Sequence, residues 1–330
     1  MSTTWIRRAV IGLLVGRPYQ SAILESSRSV VRLFEEGSYS YRNDSFAYVS
    51  KFSWFGRECE SCDAIVHFFP GGFYSGTQYD LAPLMQYISL AYDVQPWSVN
   101  YRLASEGTSY DELVSDARAA IGFLRKRMGS GRKIVALGSS AGARLAMRVS
   151  DLVDGVILDS AGYYCATTQK EDGTPIDSKD ADYQGLSKEL FDVIRSASSY
   201  ECYPTPVAPT FVAHGKEDIV TPLIGAQKYV QRHPGVAHCF ADGGSHIAPF
   251  SDACNEEVKA WIDARFGWDA APAAQRALAQ TMSQAFGALA RVNNLMERYL
   301  PAWVLDVFVR ECRNVSPVEA DSKGCTGLMS

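Results

Sequence analysis

No run of about 18 apolar residues occurs anywhere in the chain, so no segment reads as a membrane-spanning helix. Basic residues are not in excess. The 32 Lys and Arg face 37 Asp and Glu, giving a net charge of −5. A nucleic-acid partner, which needs a basic surface, is therefore not expected. Histidine is scarce, with five in all. The one C-x-x-C pair, Cys59-Glu-Ser-Cys62, has no second close pair to complete a zinc site, and no metal is expected. It also lacks a thioredoxin-like setting for redox work. The eight cysteines of so long a chain read first as free thiols, with disulfides as the lesser alternative. Internal repeats are absent.

What is present suits a large packed body. The 330 residues are 47% hydrophobic, enough for one domain with decorations. Trp5-Ile-Arg-Arg8 precedes a short apolar run, Ala9 to Gly16, with no small-x-small cleavage pattern after it. This reads as an N-terminal structural or interfacial helix rather than a removed signal, and a cytoplasmic location is expected. The sequons at Asn43 and Asn314 matter only for a secreted protein. Residues 20–35 show helical spacing of Ile23, Leu24, Val30, Val31 and Phe34, so 1–40 is read as a helical, cap-like segment.

From residue 41 to about 268 the chain alternates strand-like and helix-like runs. The strands expected are Phe46–Trp54, Ala64–Phe68, Trp97–Tyr101, Lys133–Gly138, Gly155–Asp159, Pro209–His214 and Val236–Ala241. Several are short and continuously apolar, as in strands covered on both faces. Ser109-Tyr-Asp-Glu112 reads as a capping box opening a helix through Leu124, and 222–232 and 252–265 also read as helices. This alternation predicts an α/β fold with a mostly parallel central sheet and helices on both faces. The polar stretch 164–206 interrupts it as a lid or binding insertion. Residues 269–315 form a C-terminal helical extension, with Leu278, Met282, Phe286, Leu289, Val292, Met296 and Tyr299 on one apolar face. That face suits packing on the body or contact between copies in a homo-oligomer; membrane association is not favoured, because the polar face is not strongly basic. Residues 316–330 read as a disordered tail.

Gly138-Ser-Ser-Ala-Gly142 lies between an apolar strand and a helix-like run. This is G-x-S-x-G in the strand–turn–helix setting it requires, with Ser140 at the tip and Ser139 as the weaker alternative. A serine hydroxyl needs a base. Of the five histidines, His246 alone sits in a Gly-rich loop after a strand and before a helix. His67 and His238 lie inside strands, His214 ends one, and His233 precedes proline. Asp218 falls just past the strand ending at His214, where acids gather on open α/β sheets, with Glu217 as competitor. Gly71 and Gly72, in Phe69-Pro-Gly-Gly-Phe73, can turn their amides toward a ligand and, with the Ala141 amide, could form an oxyanion hole. Phe73, Tyr74, Tyr163 and Tyr164 are candidates to line a substrate pocket, though core packing accounts for them equally well.

Together, Phe69–Gly76, Val99-Asn-Tyr-Arg-Leu-Ala104, the serine turn, His214–Asp218 and Gly244-Ser-His246 resemble the hormone-sensitive-lipase-like branch of the α/β-hydrolases over about residues 60–265. The resemblance implies a carboxylesterase or lipase acting on a small-molecule ester of small to medium acyl chain, with no metal or organic cofactor. Two departures stand out: Phe69-Pro70 replaces the usual His-Gly, and Ser139 stands where Asp is common. The motifs do not separate esterase from amidase, formamidase or peptidase. A non-catalytic binding protein on this scaffold is a third reading.

Overall fold

A computed structural model describes residues 31–54, 61–163 and 203–281, apart from 44–46, 219, 222, 245 and 247–251, together with 28, 29 and 284. Most of the expected N-terminal segment, the insertion over 164–202, the extension beyond 284 and the tail lie outside the described residues. The chain divides into two compact units. One is Phe34–Arg291; the other joins 1–33 to 292–330, and of it only 28, 29 and 31–33 are described.

The larger unit is built on one eight-stranded sheet. Its strands are β1 (Glu35–Ser40), β2 (Tyr48–Phe52), β3 (Ala64–Phe68), β4 (Gln95–Asn100), β5 (Ile134–Ser139), β6 (Gly155–Asp159), β7 (Thr210–Gly215) and β8 (Ala237–Ala241). Their order is β1-β2-β4-β3-β5-β6-β7-β8. β2 pairs antiparallel with β1 and β4, and the pairs from β4 through β8 are parallel. β3, β5, β6 and β7 are buried at every position. Both faces of the central sheet are therefore covered, which is why these strands read as unbroken apolar runs.

The covering helices are α1 (Pro83–Ala91), α2 (Tyr110–Met128), α3 (Ala141–Arg148), α4 (Leu223–Arg232) and α5 (Asp252–Phe266). The expected capping box opens α2: the Ser109 amide donates to Glu112 Oε2 at 2.9 Å, and the Glu112 amide donates to Ser109 Oγ at 3.4 Å. Leu113, Val114, Ala117, Ala120, Ile121 and Leu124 make its buried stripe. α1 is a helix the sequence reading passed over. Pro83 at its first turn was the available signal.

Two expectations need correction. The helical segment expected over 1–40 gives way at Glu35 to a strand, β1, whose residues alternate between half-buried and exposed. An edge strand with one covered face has that period, and pairing with β2 takes over where the helical residues 28, 29, 31 and 32 end. The described cysteines are also not free. Cys239 on β8 and Cys254 on α5 form a disulfide, Cys62 is disulfide-bonded, and no described cysteine is free. Spacing along the chain could not show that β8 and α5 bring two sulfurs together. The bond closes a loop of 15 residues, a link typically worth roughly 3 kcal/mol.

No helix among the described residues is long and apolar enough to cross a membrane. No group of His, Cys, Asp and Glu among them is arranged to hold a metal ion.

Candidate active site

The carboxyl ends of β3, β5, β6, β7 and β8 lie along one edge of the sheet, where open α/β sheets place their ligands. Each end carries a polar or glycine-rich turn, and the residues singled out from sequence converge there.

Ser140 sits between β5 and α3 with φ 53 and ψ −119, in a region L-residues rarely occupy. Its amide donates to the Asp159 carbonyl at 2.9 Å, and its own carbonyl accepts from the Ala143 amide at 3.1 Å. The turn is this sharp because residue 142 has no side chain: a Cβ there would lie 2.1 Å from the Phe68 carbonyl oxygen. The strained turn presents the hydroxyl above the sheet edge, with the N-terminus of α3 behind it.

The Ser140 hydroxyl donates to His246 Nε2 at 2.9 Å. On the other side of the ring, Nδ1–H donates to Asp218 Oδ2 at 2.9 Å. The carboxylate accepts, so Nδ1 carries the hydrogen and Nε2 is left as the acceptor. The Asp218 side chain is fully buried and that of His246 is 19% exposed. Burial pushes the Asp218 carboxyl up. The hydrogen bond and charge of His246, with the donors of Thr221, outweigh that and hold it below the ordinary carboxylate range. Such a relay can pass the hydroxyl proton to the imidazole. Of the two candidate acids, Asp218 is the one bonded to His246 Nδ1.

Thr221 was not singled out from sequence. Its hydroxyl stands 2.6 Å from Asp218 Oδ2, and its amide donates to Oδ1 at 2.8 Å, as does the amide of Val220. The Thr221 carbonyl accepts from His214 Nε2 at 2.7 Å. Buried His214, its pKa lowered by desolvation, thus shapes the turn after β7, as its place at the strand end suggested. The only sequence signal for Thr221 was its spacing, three residues after an acid, which matches many plain turns. Thr221→Val removes the hydroxyl but leaves the amide. It should lower kcat/KM roughly tenfold with little change in KM, because a hydrogen bond to a charged group is worth about 1.5–3 kcal/mol and part of that orients the base. Steady-state kinetics on a chromogenic ester would check this.

Gly71 and Gly72 follow β3. Gly71 has φ +131, and a Cβ there would lie 2.0 Å from the Ser75 carbonyl oxygen. The amides of Tyr74 and Ser75 both donate to the Gly71 carbonyl at 3.1 Å, closing the turn. Pro70 and Phe69 stand where the usual glycine and histidine are absent, and the loop is braced differently. The Phe69 ring stacks on Tyr101, centroids 4.0 Å apart at 7°, and the Tyr101 hydroxyl donates to the Phe69 carbonyl at 2.6 Å. Ala141 is the first residue of α3, so its amide has no acceptor within the helix.

The aromatic candidates are placed unevenly. Phe73 and Tyr163 are buried in the core, Phe73 edge-on to Tyr110 and Tyr163 beside Tyr203 and Tyr229. Tyr74 is half-buried. Tyr164 lies outside the described residues.

With this geometry in place, comparison with known proteins adds the following. A family described as alpha/beta hydrolase fold matches residues 65–201, less than half of the chain. A thermophilic esterase from Thermogutta terrifontis, Est2, superposes with a TM-score of 0.53 at 18% identity, covering 69% of this chain and 91% of its own. The chain has the α/β-hydrolase fold. The butyrate-bound form of that esterase superposes on this hydrolase fold with a TM-score of 0.52 at 18% identity, covering 68% and 92%. The carboxylesterase Cest-2923 from Lactobacillus plantarum WCFS1 gives 0.53 at 16% identity, covering 69% and 96%. No curated protein sequence matches the chain.

Proposed function

We propose that this α/β-hydrolase is a carboxylic ester hydrolase working through an acyl-enzyme on Ser140. The observation that carries the reading is the placement of the His246 ring between Ser140 Oγ and Asp218 Oδ2, at 2.9 Å from each. Resemblance to the hormone-sensitive-lipase-like branch and the esterase relatives support the same reading.

In this mechanism His246 Nε2 takes the Ser140 proton as Oγ attacks the ester carbonyl, and Asp218 steadies the imidazolium. The amides of Gly71, Gly72 and Ala141 serve as donors to the tetrahedral oxyanion. His246 then gives the proton to the departing alkoxide, leaving an acyl-serine. Water, deprotonated by the same base, attacks that acyl group and releases the acid. Of the aromatic candidates, half-buried Tyr74 is assigned to the wall of the acyl site, while Phe73 and Tyr163 pack in the core behind it. A small to medium acyl chain fits the butyrate found on the Thermogutta esterase.

The test is a series of p-nitrophenyl esters of increasing acyl length beside a p-nitroanilide of matched acyl group. Turnover should favour the short esters and fall steeply for the anilide. An intact protein that hydrolyses none of the esters and takes no label at Ser140 from a fluorophosphonate would refute the reading. Preference for the anilide would make the chain an amidase.

A further inference from the structure

Beneath Ser140 lies a buried carboxyl that the proposed mechanism does not use. Asp159 ends β6 and is 0% exposed. It is the register partner of Ser139 on β5. Its Oδ2 accepts from the Ser139 hydroxyl at 3.0 Å and its Oδ1 from the Ser160 hydroxyl at 3.2 Å. Its carbonyl, as described above, holds the Ser140 amide. One residue thus grips both the backbone of the serine turn and the side chain just before it. Position 139, where the resemblance leads one to expect an acid, holds a serine, and the carboxyl that reaches it comes from the neighbouring strand.

Holding a hydroxyl needs only a neutral acceptor, so that role alone leaves the acid unexplained. Its surroundings bear on charge. His67 on β3 stands on the far side of Ser139, Nε2 to Oγ 3.4 Å, and burial lowers its pKa to about 3, so it is neutral there. His246 and Asp218 both act on Asp159 through space. His214 on β7, beside Asp218, is kept toward its neutral form by burial. Among these groups the imidazolium that His246 becomes during turnover is the one a negative charge at 159 would favour.

We propose that Asp159 is a positioning residue of the active site, which, held by Ser139, supplies a second negative charge favouring the protonated form of His246 during acyl transfer. The inference rests on the hydrolase reading above. No bond to Asp159 forms or breaks in turnover; the proton still passes from Ser140 Oγ to His246 Nε2. Burial pushes the Asp159 carboxyl up to about 6, helped by the charge of Asp218 and opposed by Ser139, Ser160 and His246. Below that pH it takes a proton, and its help to the base is lost. Above it, the charge is present. The acidic limb of the rate profile then carries the titration of Asp159.

Two variants should move that limb in opposite directions. Asp159→Asn removes the charge, so kcat/KM at neutral pH should fall on the order of tenfold and the limb should move to lower pH. Ser139→Ala removes a donor to the ionised carboxyl, so Asp159 should keep its proton longer and the limb should move to higher pH. The measurement is kcat/KM for a short p-nitrophenyl ester between about pH 5 and 9. Fluorophosphonate labelling of Ser140 would count competent sites. If both limbs stay at the wild-type position, including a uniform drop at every pH, the carboxyl is merely structural and the inference is overturned. Should Asp159→Asn fail to fold, the direction of the Ser139→Ala shift decides alone. A wild-type protein inert to ester and probe overturns the hydrolase reading and this inference with it; an active wild type with unmoved limbs overturns only the inference.

Discussion

Ser140→Ala is expected to lower kcat/KM for a short ester by about 10⁴- to 10⁶-fold and to abolish fluorophosphonate labelling. The hydroxyl is the atom whose proton His246 Nε2 is placed to take, 2.9 Å away. Without it the imidazole has no nucleophile to activate, and the oxyanion donors contribute only the residual rate that preorganised amides supply. The members of such a relay act as one unit. His246→Ala should therefore cost nearly as much, and the double variant little more than either single one. Additive losses would mean that Ser140 and His246 work separately, and the acyl-enzyme route would fall. The control is thermal stability. Only a hydroxyl is removed and the strained φ of residue 140 is kept, so the melting temperature should stay near that of the wild type.

Gly142→Ala is expected to lower stability by roughly 3–5 kcal/mol. A Cβ at 142 would lie 2.1 Å from the Phe68 carbonyl oxygen, 2.5 Å from its carbon and 2.5 Å from the Phe69 oxygen. All are backbone atoms, so no side chain can swing aside. Phe68 ends β3, which is hydrogen-bonded to strands on both sides, and Phe69 begins the Gly71–Gly72 turn. The new methyl must either push β3 off the serine turn or open that turn. A loss of about 3 kcal/mol would lower the melting temperature by roughly 6–12 °C in a domain of this size. Differential scanning calorimetry would measure it. Gly72→Ala makes the comparison: a Cβ there meets nothing within 4 Å, and only the φ of +64 resists it, at about 1–2 kcal/mol. Equal melting temperatures for Gly142→Ala and wild type would show that the turn is looser than its geometry.

How far the site could be read in advance depended on whether its chemistry is local. The serine turn was legible because a sharp strand-to-helix reversal demands small residues at fixed, adjacent positions, and Gly138 to Gly142 supply them. His246 and Asp218 were legible by elimination: each sits in a loop just after a strand, and few histidines compete. The central strands were legible because burial on both faces leaves only apolar residues. β1 was not, because one covered face over six residues is a weak pattern and a stronger helical spacing lies just before it.

By itself, then, the sequence determined the central strands, the turn that lifts Ser140 and the chain order of Ser140, Asp218 and His246, since all of these follow from periods and spacings within short stretches. Tertiary structure alone decided who stands beside them. Strand register set Asp159 opposite Ser139. The turn after β7 folded Thr221 back onto Asp218, and neighbouring strands stacked Tyr101 on Phe69 in place of a histidine brace. The contact of β8 with α5 joined Cys239 to Cys254. Strand pairing and close packing create each of these contacts between residues whose separation along the chain carries no recognisable pattern.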